Sequence, residues 1–376
     1  MDRYDQAHRM LNQQVPCTTV RNITDDVAVE LFRRLNQGGT TLREGDVRAA
    51  ELARGAAVQV LKKMREFVSE ERRKRLGFGF SFAFRALVVF HRGSARFRTL
   101  PADWVNAAGP NKRSLAESWE AARKALSQAL QFIDEKMGWS QRTLVPSANA
   151  IIVLSYAFDK AQFAPAIDDA EKKWRSWLCL TALAGVFQNS VETTIDRFLR
   201  KIRDSKKHPA TALWEALSRN EARRIHPEEL EEVAQLWGPA TQVLYSWLVS
   251  RHARDWLNSE TLDSLARANK VGLPGGDLTV HHIFPRKLAA EYLDNPNDAN
   301  CLANFAVVSR ETNSTFKETR PDEVLETLTA AQRGDASVQF FGTEAGDRLK
   351  HFEDFRTWRA KQLADAFNEE FWISRR

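Results

Sequence analysis

Val280-His281-His282-Ile283-Phe284-Pro285, then Leu302-Ala303-Asn304-Phe305-Ala306-Val307-Val308, then Ser309-Arg310-Glu311-Thr312-Asn313: these three stretches decide how the C-terminal part of the chain is read. The first is an apolar strand that ends on a histidine pair. The second is an apolar run headed by Asn304. The third places Asn313 nine residues after Asn304 on a short helix, with Ser309 as the expected N-cap. A strand–strand–helix unit of this kind gathers imidazole and carboxamide groups in one place. Imidazole titrates near neutral pH and can take a proton from water, and imidazole nitrogen is also a common metal ligand. Metal-assisted hydrolysis of a phosphodiester needs such parts. A histidine pair alone is a weak signal, and asparagine marks turns everywhere. The inference rests on order, spacing and setting together.

Adjacent residues of a regular strand project to opposite faces, so His281 and His282 cannot do the same job. Arg286, Lys287, Lys317 and Arg320 surround the unit in sequence and are candidates for phosphate contacts. The turn-rich stretch Val271-Gly272-Leu273-Pro274-Gly275-Gly276-Asp277 separates the unit from what precedes it.

Upstream, from Glu44 to about Ser259, the pattern is helical. Ser114 followed by Glu117 is a capping box. Leu115, Trp119, Ala122, Leu126, Leu130, Ile133 and Met137 then recur at steps of three and four, and Gly138 closes the helix. Val191, Ile195, Phe198 and Ile202 repeat the logic. Phe78, Phe80, Phe82 and Phe84 alternate as in a strand, although their surroundings are helical. Near the N-terminus a strand is expected over Val15–Val20 and a helix over Asp25–Leu35. Asn36-Gln37-Gly38-Gly39 stops that helix, either as a plain C-terminal cap or as a functional loop. Arg72-Arg73-Lys74-Arg75 is the densest basic cluster, and it reads as a solvated helix face or as a set of DNA phosphate contacts.

The chain has 376 residues, 43% of them hydrophobic, with eleven tryptophans, which excludes a disordered protein. The tryptophans are expected to pack helices rather than stack on bases. The net charge of +6 permits nucleic-acid binding without demanding it. Cys17, Cys179 and Cys301 form neither a disulfide framework nor a zinc knot, which points to a reducing cytoplasm. The N-terminus is polar, with no visible signal peptide. The apolar run from Ala150 to Phe158 is too short to span a bilayer, so no membrane is expected.

The C-terminal stretches resemble the HNH endonuclease motif with its ββα-metal fold. The string His281-His282-Ile283-Phe284-Pro285, the strand headed by Asn304, and Asn313 followed by a basic stretch and Arg320-Pro321 resemble the nuclease half of the GmrSD family. These are modification-dependent restriction and anti-phage proteins, in which a ParB-like nucleotidase and sensor domain is joined through helices to an HNH domain. Leu31-Phe32-Arg33-Arg34-Leu35-Asn36-Gln37-Gly38-Gly39-Thr40-Thr41-Leu42 is similar to the family's signature after its sensor strand. Leu144-Val145-Pro146-Ser147-Ala148-Asn149-Ala150-Ile151-Ile152 and the segment from Trp174 to Ile202 resemble its helical middle.

The resemblance implies a mainly α protein, with a helical N-terminal and central region and a small C-terminal α+β unit. Residues 1–50 would be a remnant of the sensor domain, 51–265 a helical domain, and 266–376 the HNH domain with its C-terminal helices. Carried over position by position, His281 becomes a metal ligand and His282 the general base. Asn313 becomes the second metal ligand. Asn304 takes the central position that orients the base, with Asn300 as a nearby competitor. One divalent ion is implied, Mg²⁺ or Mn²⁺ first. Many relatives carry Asp where His281 stands, and the lost negative charge extends the choice toward Ni²⁺ or Zn²⁺. The substrate would be DNA, modified or unmodified. The family's Asp-Gly-Gln-Gln-Arg motif does not occur in this chain, so nucleotide hydrolysis is not expected of it. The alternative is a DNA-binding or adaptor subunit without activity, working with a partner protein that carries the ParB-like nucleotidase half.

Overall fold

The computed structural model describes residues 57–70, 76–96, 112–268 and 276–373, together with Val27, which is helical. The expected strand at 15–20, the rest of the helix at 25–35, the Asn36–Gly39 stop, Cys17 and the Arg72-Arg73-Lys74-Arg75 cluster lie outside the described residues.

The helical region runs through α1 (Ala57–Ser69), α2 (Phe80–Arg92), α3 (Leu115–Met137), α4 (Ala148–Ala161), α5 (Ala170–Leu183), α6 (Val191–Asp204), α7 (Pro209–Ala216), α8 (Pro227–Glu231), α9 (Pro239–Ser250) and α10 (Leu262–Arg267). α3 is its axis and packs against α1, α2, α4 and α9. Its start is the capping box: Ser114 Oγ accepts from Glu117 N, and Glu117 accepts from Ser114 N. All seven residues of the expected stripe are buried. Gly138 ends the helix at φ +67, and a Cβ there would meet Val249 Cγ2 at 2.8 Å, so both backbone and space select glycine. Ile195, Phe198 and Ile202 are likewise buried along α6.

Phe80, Phe82 and Phe84 lie in the first turns of α2 and Phe78 just ahead of it, so the alternating phenylalanines form no strand. Phe78 and Phe82 stack at 4.4 Å, and Phe80 faces Phe84 at 6.2 Å. Contacts four residues apart are the helix's own spacing, and the apolar run that follows is buried nearly throughout. Trp119, Trp139, Trp174, Trp177, Trp214, Trp247 and Trp256 are buried among the helices. The apolar run from Ala150 lies inside the buried α4. Among the described residues no helix is long and apolar enough to cross a membrane. Cys179 and Cys301 are buried free thiols.

The C-terminal part holds a small antiparallel sheet of β1 (Leu278–His282) and β2 (Phe305–Ser309), in which His281 faces Ala306 and His282 faces Phe305. Between the strands lie α11 (Arg286–Ala289) and two short 3₁₀ turns, Pro296–Ala299 and Leu302–Asn304. β2 runs straight into α12 (Arg310–Phe316), which packs on both strands. α13 (Pro321–Thr327), α14 (Ala330–Ser337) and α15 (Phe352–Phe371) follow. The described residues are thus mainly helical, with one two-stranded sheet among them.

The sheet lies between two apolar clusters. Leu278, Val280, Phe305 and Val307 join the large cluster of the helical region. Ala306, Val308, Ile283 and Phe284 join a second cluster with Trp256, Phe316, Phe352 and Phe355. Buried packing therefore runs across the expected boundary at 265/266. Gly276 sits at that junction with φ +64, and a Cβ on it would meet the carbonyl oxygens of Leu265 and Ala266 at 2.7 Å.

A two-stranded sheet leaves each strand with one unpaired edge, and in β2 that edge is buried. Side chains close it. Gln339 accepts from Val307 N (2.9 Å) and donates to Val307 O (2.7 Å). Arg359 donates to Phe305 O (2.8 Å), Leu302 O (3.2 Å), Ala303 O (2.8 Å) and Gln339 O (2.9 Å). Asp255 accepts from Ser309 N (3.3 Å). Burial pulls the Arg359 guanidinium down to about 9, still above neutral, so a charged group sits ringed by carbonyl dipoles.

Removing that ring's centre strands the buried carbonyls of Ala303, Phe305 and Gln339, while Leu302 O keeps the N–H of Phe305. Arg359→Met should lower unfolding free energy by about 3 kcal/mol or more, at roughly 1 kcal/mol per lost buried hydrogen bond. Arg359→Lys should recover little of it, because one ammonium cannot reproduce the planar fork. Denaturant titration reads this; a parental midpoint in Arg359→Met would show that the carbonyls find other partners.

Candidate active site

β1 ends on the histidine pair, and the pleat sends the two rings to opposite faces. His281 is 2% exposed and lies edge-on to Trp256 at 5.6 Å. Its Nδ1 is 3.0 Å from Asn313 Oδ1, so Nδ1–H donates and Nε2 keeps the lone pair. Burial pushes the ring down to about 4; the Asn313 bond opposes this and the neighbouring His282 adds to it. His281 is therefore a neutral imidazole at pH 7, the form that ligates cations.

Asn313 reaches it from α12, whose placement is fixed from the helical region. Ser309 caps the helix by accepting from Thr312 N at 3.0 Å. Thr312 Oγ1 donates in turn to the buried carboxylate of Asp255. A carboxylate at a helix N-terminus also meets the positive end of the helix dipole. Asp255 lies upstream of β1, so a residue outside the strand–strand–helix unit sets the position of Asn313.

His282 is half-buried and lies edge-on to Phe305 at 5.2 Å. Its Nε2–H donates to Asn300 Oδ1 at 2.9 Å, which leaves the lone pair on Nδ1. Burial lowers its pKa, against the opposing effect of the Asn300 bond. Asn304 is fully buried and does not make this contact. Its amide accepts from Phe284 N (2.8 Å) and donates to Phe284 O (3.0 Å) and Ala299 O (3.0 Å). Its own carbonyl takes Ile283 N–H at 2.9 Å. Asn304 thus bonds backbone across the loop, as expected, and ties the chain leaving β1 to the chain entering β2; the direct contact with the His282 ring is made by Asn300.

The four expected phosphate contacts are all exposed. Lys287 pairs with Glu318 at 2.8 Å and Arg320 with Asp322 at 3.3 Å. Arg286 donates to Asn297 Oδ1 at 3.3 Å, and Lys317 follows α12 directly. Arg286 and Lys317 form no ion pair among the described residues and are the freer pair of cations.

The donor set also bears on the implied metal. Two cis ligands about 2.1 Å from an octahedral ion stand about 3.0 Å apart. The spacing of His281 Nδ1 and Asn313 Oδ1 matches that edge as well as it matches a hydrogen bond, and ligation through Nδ1 requires the other tautomer, with the ring proton on Nε2. Two neutral donors suit an ion that takes its remaining ligands from water and phosphate oxygens, as Mg²⁺ does. Among the described residues no group of three or more His, Cys, Asp and Glu side chains could hold an ion. The pair therefore fits a weakly held cation and does not form a closed structural site.

Sequence reasoning had weighed Asn300 only as a competitor and missed Asp255, Gln339 and Arg359. Nothing in the order of residues marks an arginine on a C-terminal helix as a partner of a strand some fifty positions earlier. No protein-family model matches the chain, and no curated protein is significantly similar to it.

Asn304→Leu should cost about 3 kcal/mol of stability, from three stranded buried groups at roughly 1 kcal/mol each. Asn304→Asp should fare no better, since a carboxylate cannot donate to the carbonyls of Phe284 and Ala299. Unfolding midpoints equal to the parent's in both variants would remove Asn304 from this structural role.

Proposed function

We propose that this chain is a metal-dependent DNA endonuclease, with His282 as the general base and His281 and Asn313 as the protein ligands of one divalent ion. The observation that carries the reading is the 3.0 Å pair of His281 and Asn313, with His282 next in the chain at the same strand end and its ring on the other face. Support also comes from the motifs that resemble HNH enzymes of the GmrSD type, and with them the expected role in anti-phage or modification-dependent restriction.

When bound, the ion supplies charge neutralisation at the phosphate and at the departing 3′ oxygen. The chain's own residues do the rest. His281 is held neutral, so its ring is available as a ligand. His282 has its Nε2–H committed to Asn300, so Nδ1 is the atom that accepts a proton from water. Its lowered pKa keeps that lone pair free at neutral pH. Arg286 and Lys317, exposed and in no ion pair among the described residues, would neutralise the phosphate backbone. Mg²⁺ or Mn²⁺ is the expected ion, with Ni²⁺ and Zn²⁺ as alternatives.

One observation favours a second reading. His281 and Asn313 satisfy each other without a cation, as a buried polar pair in a non-catalytic DNA-binding or adaptor subunit would. That subunit would act with a partner carrying the nucleotidase half. Purified chain on modified and unmodified supercoiled plasmid separates the two.

The nuclease reading expects nicking in Mg²⁺ or Mn²⁺ that EDTA abolishes. His282→Ala should reduce the rate roughly 10²-fold or more with DNA binding retained. His281→Ala and Asn313→Ala should raise the metal concentration required. Cutting that persists in EDTA, or at parental rate in a folded His282→Ala protein, would sink the mechanism.

Binding to duplex DNA should weaken with salt. Replacing both Arg286 and Lys317 by alanine should flatten the plot of log K against log salt by about 1.8, at about 0.9 per lost phosphate contact. An unchanged slope would take both residues out of the interface.

A further inference from the structure

Asn300 holds the ring of His282, and Asn300 is in turn held by the helical region. Its backbone N–H donates to Asn297 O at 2.9 Å, within the 3₁₀ turn that precedes it. Its carbonyl accepts from Ala234 N at 2.6 Å, and Val233 forms an antiparallel bridge with Cys301. Ala234 belongs to the segment 232–237 that links α8 to α9.

That segment is anchored at both ends. On one side Glu231 pairs with Arg356 of α15 at 3.1 Å, with both side chains mostly buried. Just upstream, Asn368 of α15 exchanges two hydrogen bonds with the backbone of Ile225, each at 2.9 Å. On the other side Gln235 O accepts from Gly238 N and from Thr241 Oγ1 of α9. Between the anchors, Val233 is 61% exposed and Leu236 46% exposed. Ala234 and Trp237 of the segment pack against the large apolar cluster. Here Val233 and Leu236 face solvent, while the backbone between them makes the contact with Asn300.

We infer that the segment 232–237 is a positioning strap for the base: it fixes Asn300, and Asn300 fixes the tautomer and orientation of His282. The inference rests on the reading of His282 as a base and adds a residue and a route that reading does not contain. A neutral imidazole free of partners exchanges between two tautomers, and only one has its lone pair on Nδ1. The acceptor at Nε2 selects that one, and the strap holds the acceptor in place. Anything that moves the strap therefore acts on the base from outside the strand–strand–helix unit. Asn300 and Ala234 are positioning residues and touch no reacting atom.

The test reads the tautomer directly. The imidazole ¹⁵N resonances of the full chain are assigned to His282 through their loss in His282→Gln. The parent should show a protonated Nε2 and an unprotonated Nδ1. Asn300→Asp keeps an acceptor at that place and should keep the pattern. Asn300→Leu removes the acceptor and should give averaged shifts, with kcat for plasmid nicking down roughly 10- to 100-fold and KM unchanged, the scale of losing an orienting partner. Ala234→Pro removes the backbone donor of the strap and restricts Val233 before it, and should shift the His282 resonances in the same direction while circular dichroism stays parental. A fixed Nε2–H tautomer in both Asn300→Leu and Ala234→Pro would overturn the inference. The spectra need no activity: a parent that never cuts DNA would sink the nuclease reading, and the strap would still stand or fall on the resonances.

Discussion

Everything at the C-terminal end depends on closing the buried outer edge of β2. Two strands cannot satisfy each other's backbone on both sides, and β2 is buried along its whole length. A third strand would be the usual solution. This chain uses side chains instead: Gln339 copies a peptide group against Val307, Arg359 collects carbonyls at the entrance to β2, and Asp255 takes the amide at its exit. A buried guanidinium without a carboxylate partner is costly to desolvate. Four carbonyl oxygens offset that cost, and they do so only while the 3₁₀ turn, β2 and the turn after α14 stay in register with α15.

The same closure builds the candidate site. Arg359 fixes the carbonyls of Leu302 and Ala303, which flank Asn304, and Asn304 ties both strand ends together through Phe284 and Ala299. Asp255 fixes the first turn of α12 and so the height at which Asn313 meets His281. The histidine pair itself contributes little to its own placement. Its two rings are aimed by the pleat, and each is then held by one amide oxygen, His281 by Asn313 on α12 and His282 by Asn300 ahead of β2.

The helical region is more than a neighbour of this unit. It packs on one face of the sheet through Leu278, Val280, Phe305 and Val307, it supplies Asp255, and it reaches Asn300 through Ala234. A motion of α8 or α9 would therefore reach His282 over a few backbone bonds. Such coupling needs an element with two arrangements whose balance something else can bias. The strap between α8 and α9, with its exposed Val233 and Leu236, has the attachment such an element requires.

The sequence by itself determined the parts that obey local rules. The capping box at Ser114 and Glu117, the stripe from Leu115 to Met137 and the glycine stop are properties of one helix, and they were legible because the period and caps are written in consecutive residues. The strand–strand–helix order was legible for the same reason, since His281, His282, Asn304, Ser309 and Asn313 fall within one short stretch. The alternating phenylalanines were ambiguous because a few residues cannot separate a period of two from the start of a wholly buried helix. Only the tertiary structure decided which asparagine meets the base: Asn300 and Asn304 are four apart, and the turn between them sends one amide to His282 and the other to the backbone of Phe284. It alone also brought in Asp255, Gln339 and Arg359. Apart from the Thr312 hydroxyl on Asp255, their partners are backbone groups, which every residue carries alike, so no side-chain pattern in the sequence could announce them.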